Sequence, residues 1–223
     1  MHIPDGILAP WLWIAFLVVT LIILAICFYK LEKELDEEFV PYIGVLAAFI
    51  FAAQFVNFPV PVPGGTSGHL VGGTLIAAIL GPWAAPIIMI LVLLIQAIMG
   101  DGGITAIGVN LFNMGIIGGM FGYVLIVLFV KILGRKLDTR KNLIISTAIA
   151  SFITIVVAAL MVPIELQLSG VVSWEVSLPP MLIYHSIIGI GEAAITAAVV
   201  AYITKAKPEL ITTIDNLGLE AIE

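Results

Sequence analysis

Long apolar stretches, nearly free of charge, follow one another along this chain and are separated by short polar segments. Most of them approach the roughly 20 residues that an α-helix needs to span a bilayer. The pattern predicts seven membrane-spanning helices, which cover residues 11–29, 40–56, 69–80, 83–99, 104–133, 143–161 and 180–203. The third is short for a full crossing, and the glycines of the fifth favour a bend or an interruption.

Composition supports this interpretation, since hydrophobic residues make up 61% of the chain and charged residues only 11%, far from the balance of soluble proteins. We expect an all-α integral membrane protein that crosses the cell membrane several times. Residues 1–205 form the predicted transmembrane domain, and residues 206–223 form a short cytoplasmic tail. The single cysteine, Cys27, excludes an intramolecular disulfide and a cysteine-rich metal site.

The basic residues are divided unequally between the two sides of the predicted topology. With the N-terminus outside and the C-terminus in the cytoplasm, all nine Lys and Arg residues fall in inner segments, as the positive-inside rule requires. An even number of spans would place the last basic pair outside. The nine are Lys30, Lys33, Lys131, Arg135, Lys136, Arg140, Lys141, Lys205 and Lys207.

The first two residues suggest a metal-binding hypothesis. No Lys or Arg precedes the first apolar run and no convincing cleavage site follows it, so we expect an uncleaved first helix that leaves Met1 in place. The α-amine of Met1, the backbone amide of His2 and the His2 imidazole can then close adjacent chelate rings around one ion. A planar set of nitrogens suits Ni(II) or Cu(II). The alternative is an ordinary start followed by a solvated histidine.

The three histidines, His2, His69 and His185, lie in separate segments, yet the predicted topology brings all of them to the outer side. This side carries no Lys or Arg, which favours a bound cation, and neutral imidazole is a common metal ligand. Four acidic residues add negative charge there, and we expect the last two of them to be solvated loop residues. The four are Asp5, Asp101, Glu165 and Glu175.

The segment that leads to His69, residues 57–69, reads NFPVPVPGGTSGH and carries no charge. Its three prolines favour a stiff, extended stretch, and Gly64 with Gly65 permits a sharp reversal. An uncharged irregular segment can lie at membrane depth when it is buried in protein. We therefore expect a plug that folds into the helix bundle and directs His69 inward, with a rigid surface hairpin as the alternative.

Polar residues inside predicted spans need a structural or functional reason. We expect Gln96, Asp101, Asn110 and Asn113 to hydrogen-bond the N-terminal segment, with interhelical packing as the alternative for the amides. Glu192 lies two helical turns from His185 on the same face, where we expect it to pair with an amide or to stay protonated. The candidates within spans are Gln54, Gln96, Asn110, Asn113 and Glu192.

Small residues recur at four-residue spacing in two predicted spans and indicate close helix packing in lipid. The fifth span carries two overlapping glycine pairs of this kind. In the second span an outward-facing stripe would instead suit docking to another membrane protein. The positions are Gly44, Ala48 and Ala52 in the second span, and Gly115, Gly118, Gly119 and Gly122 in the fifth.

Several motifs together resemble the nickel/cobalt substrate-binding components of energy-coupling-factor (ECF) transporters, the NikM/CbiM group. They are residues 1–6 (MHIPDG), 65–73 (GTSGHLVGG), 100–105 (GDGGIT), 110–114 (NLFNM) and 185–192 (HSIIGIGE). The resemblance implies a seven-helix protein whose first residues insert into the core. It also implies Ni(II) or Co(II) bound by the Met1 amine, the backbone and side-chain nitrogens of His2, and His69.

The resemblance further implies a membrane coupling subunit, cytoplasmic ATP-binding-cassette ATPases and a small accessory membrane subunit as partners, with no cofactor beyond the transported ion. The chain itself has no nucleotide-binding motif. One alternative is a self-sufficient divalent metal permease or channel. A second is a membrane enzyme, against which the lack of a paired catalytic acid and base in one segment counts. Nickel and cobalt are not distinguished by the sequence.

Overall fold

The computed structural model describes residues 1–34, 39–134 and 137–219, and most of these residues are helical. A short hairpin interrupts the helices, and the long helix that begins with α5 continues through a π-helical segment into α6. The elements are α1 (Pro10–Glu34), α2 (Val40–Gln54), β1 (Phe58–Val60), β2 (Thr66–Gly68), α3 (Gly73–Leu80), α4 (Ala84–Ile98), α5 (Ile107–Leu111), the π-helical segment (Phe112–Phe121), α6 (Gly122–Leu133), α7 (Thr139–Leu168), α8 (Trp174–Ala206), a 3₁₀ turn (Pro208–Leu210) and α9 (Thr212–Asn216).

Every predicted span coincides with a helix, but the helices differ in length. Four of those described are long and apolar enough to cross a membrane: α1, the continuous helix Ile107–Leu133, α7 and α8. Helices α2 and α4 are apolar but have only 15 residues each, about 22 Å at the usual helical rise. Helix α3 has eight residues. The count of seven spans and the orientation of the termini therefore stay predictions, and Arg135 and Lys136 lie outside the described residues.

The last two long helices begin earlier than the sequence predicted. Helix α7 starts at Thr139, where the Asp138 side chain caps it by accepting a hydrogen bond from the Lys141 backbone N–H at 2.9 Å. Helix α8 starts at Trp174 and includes Pro179 and Pro180 in its second turn. The predicted start at Pro180 was wrong because proline is tolerated inside apolar helices whose freed backbone groups find other partners.

Helix α3 lies at the centre of the bundle, and all eight of its residues are buried. It packs against α4, α7, α6 and the π-helical segment. Gly73 allows its closest approach, because a Cβ placed there would lie 2.4 Å from the Met114 carbonyl oxygen. Where the π-helical segment meets α4, a Cβ on Gly119 would lie 2.4 Å from the Ala85 Cβ. The glycines of the fifth span therefore serve internal packing, as predicted.

Residues 57–69 combine the two structures that the sequence left open. They form an antiparallel hairpin in which Val60 pairs with Thr66 and Phe58 with Gly68, and Gly64 and Gly65 reverse the chain with φ angles of 94° and 78°. The first strand is mostly exposed, whereas the second is mostly buried. The hairpin thus lies at the surface on one side and delivers a buried His69 on the other.

The first part of the C-terminal tail packs against the end of the central helix. The Thr213 hydroxyl donates a hydrogen bond to the Ala77 carbonyl at 3.2 Å, and the Thr212 hydroxyl donates one to the Ile79 carbonyl at 3.1 Å. Ile211 and Ile214 are buried beside these contacts. The tail is therefore ordered through α9, while residues 220–223 lie outside the described residues. Its cytoplasmic location stays a prediction.

The close approach at Gly73 can be tested against a glycine in open space. We expect Gly73→Ala to lower the free energy of unfolding by about 1–3 kcal/mol, because the new Cβ meets backbone atoms that cannot move aside. Gly44→Ala is the matched control, since nothing lies within 4 Å of a Cβ there, and we expect it to stabilise α2 by up to about 1 kcal/mol. Thermal unfolding in detergent compares the two. Equal midpoints would contradict the assigned packing.

Candidate metal centre

The N-terminal segment is buried although it precedes the first helix. Met1 and Ile3 are fully buried and His2 is 3% exposed. The backbone of Ile3 is held on both sides by Asn110, whose Oδ1 accepts from the Ile3 N–H at 2.9 Å and whose Nδ2 donates to the Ile3 carbonyl at 3.2 Å. The Gly103 N–H donates to the same carbonyl at 3.0 Å. The N-terminal segment is therefore anchored inside the bundle by hydrogen bonds to its backbone.

Asp5 fixes the end of this docked segment. Its carboxylate accepts hydrogen bonds from the backbone N–H groups of Ile104 at 3.0 Å and Thr105 at 2.7 Å, and from the Thr105 hydroxyl at 2.5 Å. The Thr105 hydroxyl contributes most to lowering the pKa of Asp5. Gly103 is needed beside it, because a Cβ at that position would lie 2.6 Å from the Asp5 backbone nitrogen.

Four nitrogens converge at the buried end of the segment: the Met1 amine, the His2 backbone nitrogen, His2 Nδ1 and His69 Nε2. The Met1 amine lies 3.0 Å from His69 Nε2 and also donates to the Ser67 carbonyl oxygen. The His2 and His69 rings stack, with centroids 4.4 Å apart. His69 Nδ1 lies 2.7 Å from the Leu70 carbonyl oxygen. A proton on Nδ1 would donate to that carbonyl and leave the Nε2 lone pair facing the amine.

The nitrogens of this cluster are held in uncharged forms. Burial lowers the pKa of the Met1 amine to about 4, against the opposing effect of the Asp101 carboxylate. Burial also lowers the pKa of His2, although its hydrogen bond with Asp101 raises it again in part. At neutral pH the amine therefore keeps a free lone pair. Uncharged nitrogens with free lone pairs are the form in which these groups bind metal ions.

Asp101 connects the buried cluster to an open cavity. Its Oδ1 lies 3.2 Å from His2 Nδ1, and its Oδ2 accepts a hydrogen bond from Asn57 Nδ2 at 2.9 Å. The contact with His2 is the main reason why the pKa of Asp101 is lowered. The cavity has a volume of about 400 Å³ and is lined by Phe51, Phe55, Asn57, Gln96, Met99, Gly100 and Asp101.

Two buried glutamines link the cluster to the chain beyond His69. Gln96 lies beside His2, and its Nε2 donates a hydrogen bond to Gln54 Oε1 at 2.9 Å. Gln54 Nε2 in turn donates to the Val71 carbonyl at 2.7 Å. Asn110 and Asp101 thus hydrogen-bond the N-terminal segment as predicted, and Gln96 lies beside it. Asn113 instead donates to Glu165 Oε2 at 3.0 Å, away from that segment.

Glu192 fixes the backbone that follows His69. Its two carboxylate oxygens accept hydrogen bonds from the N–H groups of Val71 and Gly72, both at 2.8 Å. It therefore pairs with backbone amides rather than with a side-chain amide. Because these bonds lie two and three residues after His69, Glu192 sets the position of the histidine from the neighbouring helix.

One of the four acidic residues, Glu165, is placed differently from the sequence expectation. Glu165 is fully buried, so the prediction of a solvated loop residue was wrong; helix α7 continues past it to Leu168. Glu175 is exposed in the first turn of α8, as predicted. His185 is buried close to His69, and its Nδ1 lies 2.8 Å from the Met181 carbonyl in its own helix.

Side chains alone do not form a metal site here. Among residues 1–34, 39–134 and 137–219, no three His, Cys, Asp or Glu side chains cluster as ligands would. A site at the convergence point would therefore need the amine and the backbone nitrogen in addition to the two imidazoles. Ser67, whose hydroxyl lies among these nitrogens, is the functional residue that the sequence did not indicate, because a serine between small residues carries no signal of such a role.

The bundle is apolar, and it encloses a cluster of uncharged nitrogens beside a cavity lined by the Asp101 carboxylate. These features define a class of membrane protein suited to handling a small cation. The comparisons name its family. Residues 2–210 match the CbiM family, described as the cobalt uptake substrate-specific transmembrane region, and the chain belongs to it. The resemblance found in the sequence motifs is thereby confirmed.

Similar proteins cover nearly the whole chain. A putative metal transport protein of Methanocaldococcus jannaschii is 40% identical over 96% of both chains. A putative fused nickel transport protein of Archaeoglobus fulgidus is 38% identical over 95% of this chain and 68% of its own length. A crystal structure of a truncated transition metal transporter superposes with a TM-score of 0.83 at 37% identity, covering 92% of this chain and 99% of the other.

These relatives are named as transport proteins and not as enzymes, so the expected class is confirmed. The several long apolar helices and the transporter fold also confirm a multi-pass membrane protein. The prediction of an integral membrane protein built from helices is therefore correct at this level.

The double acceptor role of Glu192 gives a stability test. In Glu192→Gln one acceptor oxygen becomes an N–H₂ donor that faces a backbone N–H, so we expect a loss of about 1–3 kcal/mol from one unsatisfied buried donor. Glu175→Gln is the matched control on the same helix, because Glu175 is exposed, and should change stability by less than about 0.5 kcal/mol. Thermal unfolding of the purified proteins checks this. Equal unfolding midpoints for the two variants would contradict the stabilising role of the two hydrogen bonds to the Glu192 carboxylate.

Proposed function

We propose that this chain captures Ni(II) or Co(II) at the outer side of the membrane as the substrate-specific component of an ATP-driven ECF-type uptake system. The observation that carries the proposal is the buried convergence of the Met1 amine with His69 Nε2, 3.0 Å apart, beside the backbone and imidazole nitrogens of His2. Membership of the cobalt uptake family and the names of the nickel transport relatives support the choice of ion.

The proposed ligands are the Met1 amine, the His2 backbone nitrogen, His2 Nδ1 and His69 Nε2. The first three lie on consecutive backbone and side-chain positions, so they close two fused chelate rings. The amine is neutral before the ion arrives, whereas the His2 amide must release its proton when the ion binds. Four nitrogens in this arrangement favour a square-planar complex, the geometry that Ni(II) accepts well.

The open cavity beside Asp101 supplies a route by which the ion reaches these nitrogens. Its polar lining includes Asn57, Gln96 and Asp101, and Asp101 touches His2 directly. A carboxylate at the inner end of the cavity attracts a divalent cation and holds it next to its first imidazole. The same carboxylate offsets positive charge after the ion is bound.

In the proposed system, ATP-driven partners release the ion toward the cytoplasm, and the chain itself carries no nucleotide-binding motif. The proposed partners are a membrane coupling subunit, cytoplasmic ATP-binding-cassette ATPases and a small accessory membrane subunit. Helix α2 presents a suitable face, since Gly44, Ala48 and Ala52 are all exposed on it. Small residues allow another helix to approach closely in lipid.

The free amine is tested by lengthening the chain. We expect an added Gly-Ser before Met1 to abolish high-affinity binding of Ni(II) and Co(II), because the amine becomes an amide and the buried site has no room for the added residues. A tag after Glu223 is the matched control and should leave affinity unchanged. Calorimetric titration of both metals into the purified proteins measures the difference. Equal affinities for the native and extended proteins would exclude the chelate.

The docking face is tested by enlarging a small residue. We expect Ala48→Leu to reduce metal uptake in cells that express the coupling subunit and ATPases, and to weaken copurification with them, while metal affinity of the isolated chain stays unchanged. Ala194→Leu is the matched control, because Ala194 is exposed on α8. Normal uptake by Ala48→Leu would assign docking to another face. Uptake in cells without any ATPase partner would instead favour a self-sufficient permease.

A further inference from the structure

The Ser67 hydroxyl lies at nearly equal distances from three of the proposed ligands. Its Oγ is 3.2 Å from the Met1 amine, 3.2 Å from the His2 backbone nitrogen and 3.3 Å from His2 Nδ1. The hydroxyl accepts from the amine and from the His2 N–H, and it also lies beside His2 Nδ1, whose proton the Asp101 carboxylate accepts. No other side chain described in the structure bonds all three groups.

The nearly equal distances from Ser67 Oγ to the three nitrogens determine where this oxygen would lie if the nitrogens form a planar complex with the ion. Three successive corners of a square form a right triangle, whose circumcentre is the centre of the square, where the metal lies. A point equidistant from the three corners therefore lies on the axis through the metal, perpendicular to the plane. With metal–nitrogen distances of about 2.0 Å, Oγ would lie about 2.5 Å above the metal.

The position of Oγ is held by the backbone on both sides. Ser67 is the middle residue of β2 and pairs with Pro59 across the hairpin. Its carbonyl oxygen accepts from the Met1 amine, so the residue contacts the N-terminal segment through main chain and side chain together. The backbone of Ser67 is therefore held by the hairpin and by the N-terminal segment, and the side chain extends Oγ toward the nitrogens.

We propose that the Ser67 hydroxyl is an axial contact to the captured ion and sets the preference of the site between Ni(II) and Co(II); this rests on the proposed four-nitrogen chelate. When the ion binds, the His2 amide proton leaves, the His2 ring proton takes the Nε2 position so that Nδ1 is free, and the amine and imidazole lone pairs turn to the metal. The hydroxyl then loses its hydrogen-bonding partners, and an oxygen lone pair faces the ion. A fifth ligand stabilises Co(II) more than planar Ni(II), which gains little from axial donors.

The test compares Ser67→Ala with Ser67→Thr, which keeps the hydroxyl on a strand position that accepts a β-branched residue. Thr66→Val is the matched control, because it removes a buried hydroxyl one residue away that has no hydrogen-bond partner in the structure. Cu(II) serves as a spectroscopic probe of axial ligation, and calorimetric titration gives the Co(II) and Ni(II) affinities.

In Ser67→Ala we expect the visible d–d band of bound Cu(II) to move to shorter wavelength, and the affinity for Co(II) to fall several-fold more than that for Ni(II). Ser67→Thr and Thr66→Val should match the unchanged protein. An unaltered Cu(II) spectrum in Ser67→Ala would overturn the axial role. If Ser67→Ala binds no metal, recovery of the original spectrum in Ser67→Thr supports the proposal, and failure to recover overturns it.

The chelate and the axial contact fail in different ways. If the unchanged protein shows no nitrogen-rich planar Cu(II) signature, or if extension before Met1 leaves that signature intact, the proposed ligand set is wrong. If that signature is present and is lost on extension, but Ser67→Ala does not alter it, only the axial contact is wrong.

Discussion

The structure depends on the burial of a chain terminus inside an apolar bundle. An amine, an amide and a carbonyl cannot be left without partners there. The hairpin bonds the Met1 amine through Ser67, helix α5 bonds the Ile3 N–H through Asn110, and the loop before α5 bonds the Ile3 carbonyl through Gly103. Removal of the segment would leave these groups unpaired. The docked terminus is therefore a structural member of the bundle as well as the source of the proposed ligands.

Much of the fold could be predicted from the sequence, because a long apolar run in a membrane protein predicts a helix. The prediction failed where length was inferred from composition alone. Helix α8 begins before Pro180, because the two prolines that marked the predicted start lie inside the helix. The eight-residue α3 lies wholly inside the bundle, so its length reports burial among other helices rather than the thickness of a bilayer.

The candidate site was predictable only as far as its chemistry is carried by distinctive residues. His2 and His69 stand out because histidines are rare here, and the structure brings them into contact. Ser67 and Glu192 act through hydrogen bonds that depend on which segments meet in space. A serine in a glycine-rich segment has an ordinary local explanation, and a glutamate within a span indicates a need for partners but not which they are, so both roles emerge only from the three-dimensional arrangement.

The proposed ligand set is suited to a membrane interior because it carries no fixed charge before the ion arrives. Two neutral imidazoles, a neutral amine and an amide would avoid the cost of buried carboxylates in an empty site. A divalent ion that displaces the amide proton leaves one positive charge on the complex, and Asp101, 3.2 Å from His2, supplies the matching negative charge at the edge of the bundle. The site would therefore carry only the negative charge of Asp101 before capture and be close to electrically neutral once the ion is bound, so that the bound ion leaves no uncompensated charge in the core.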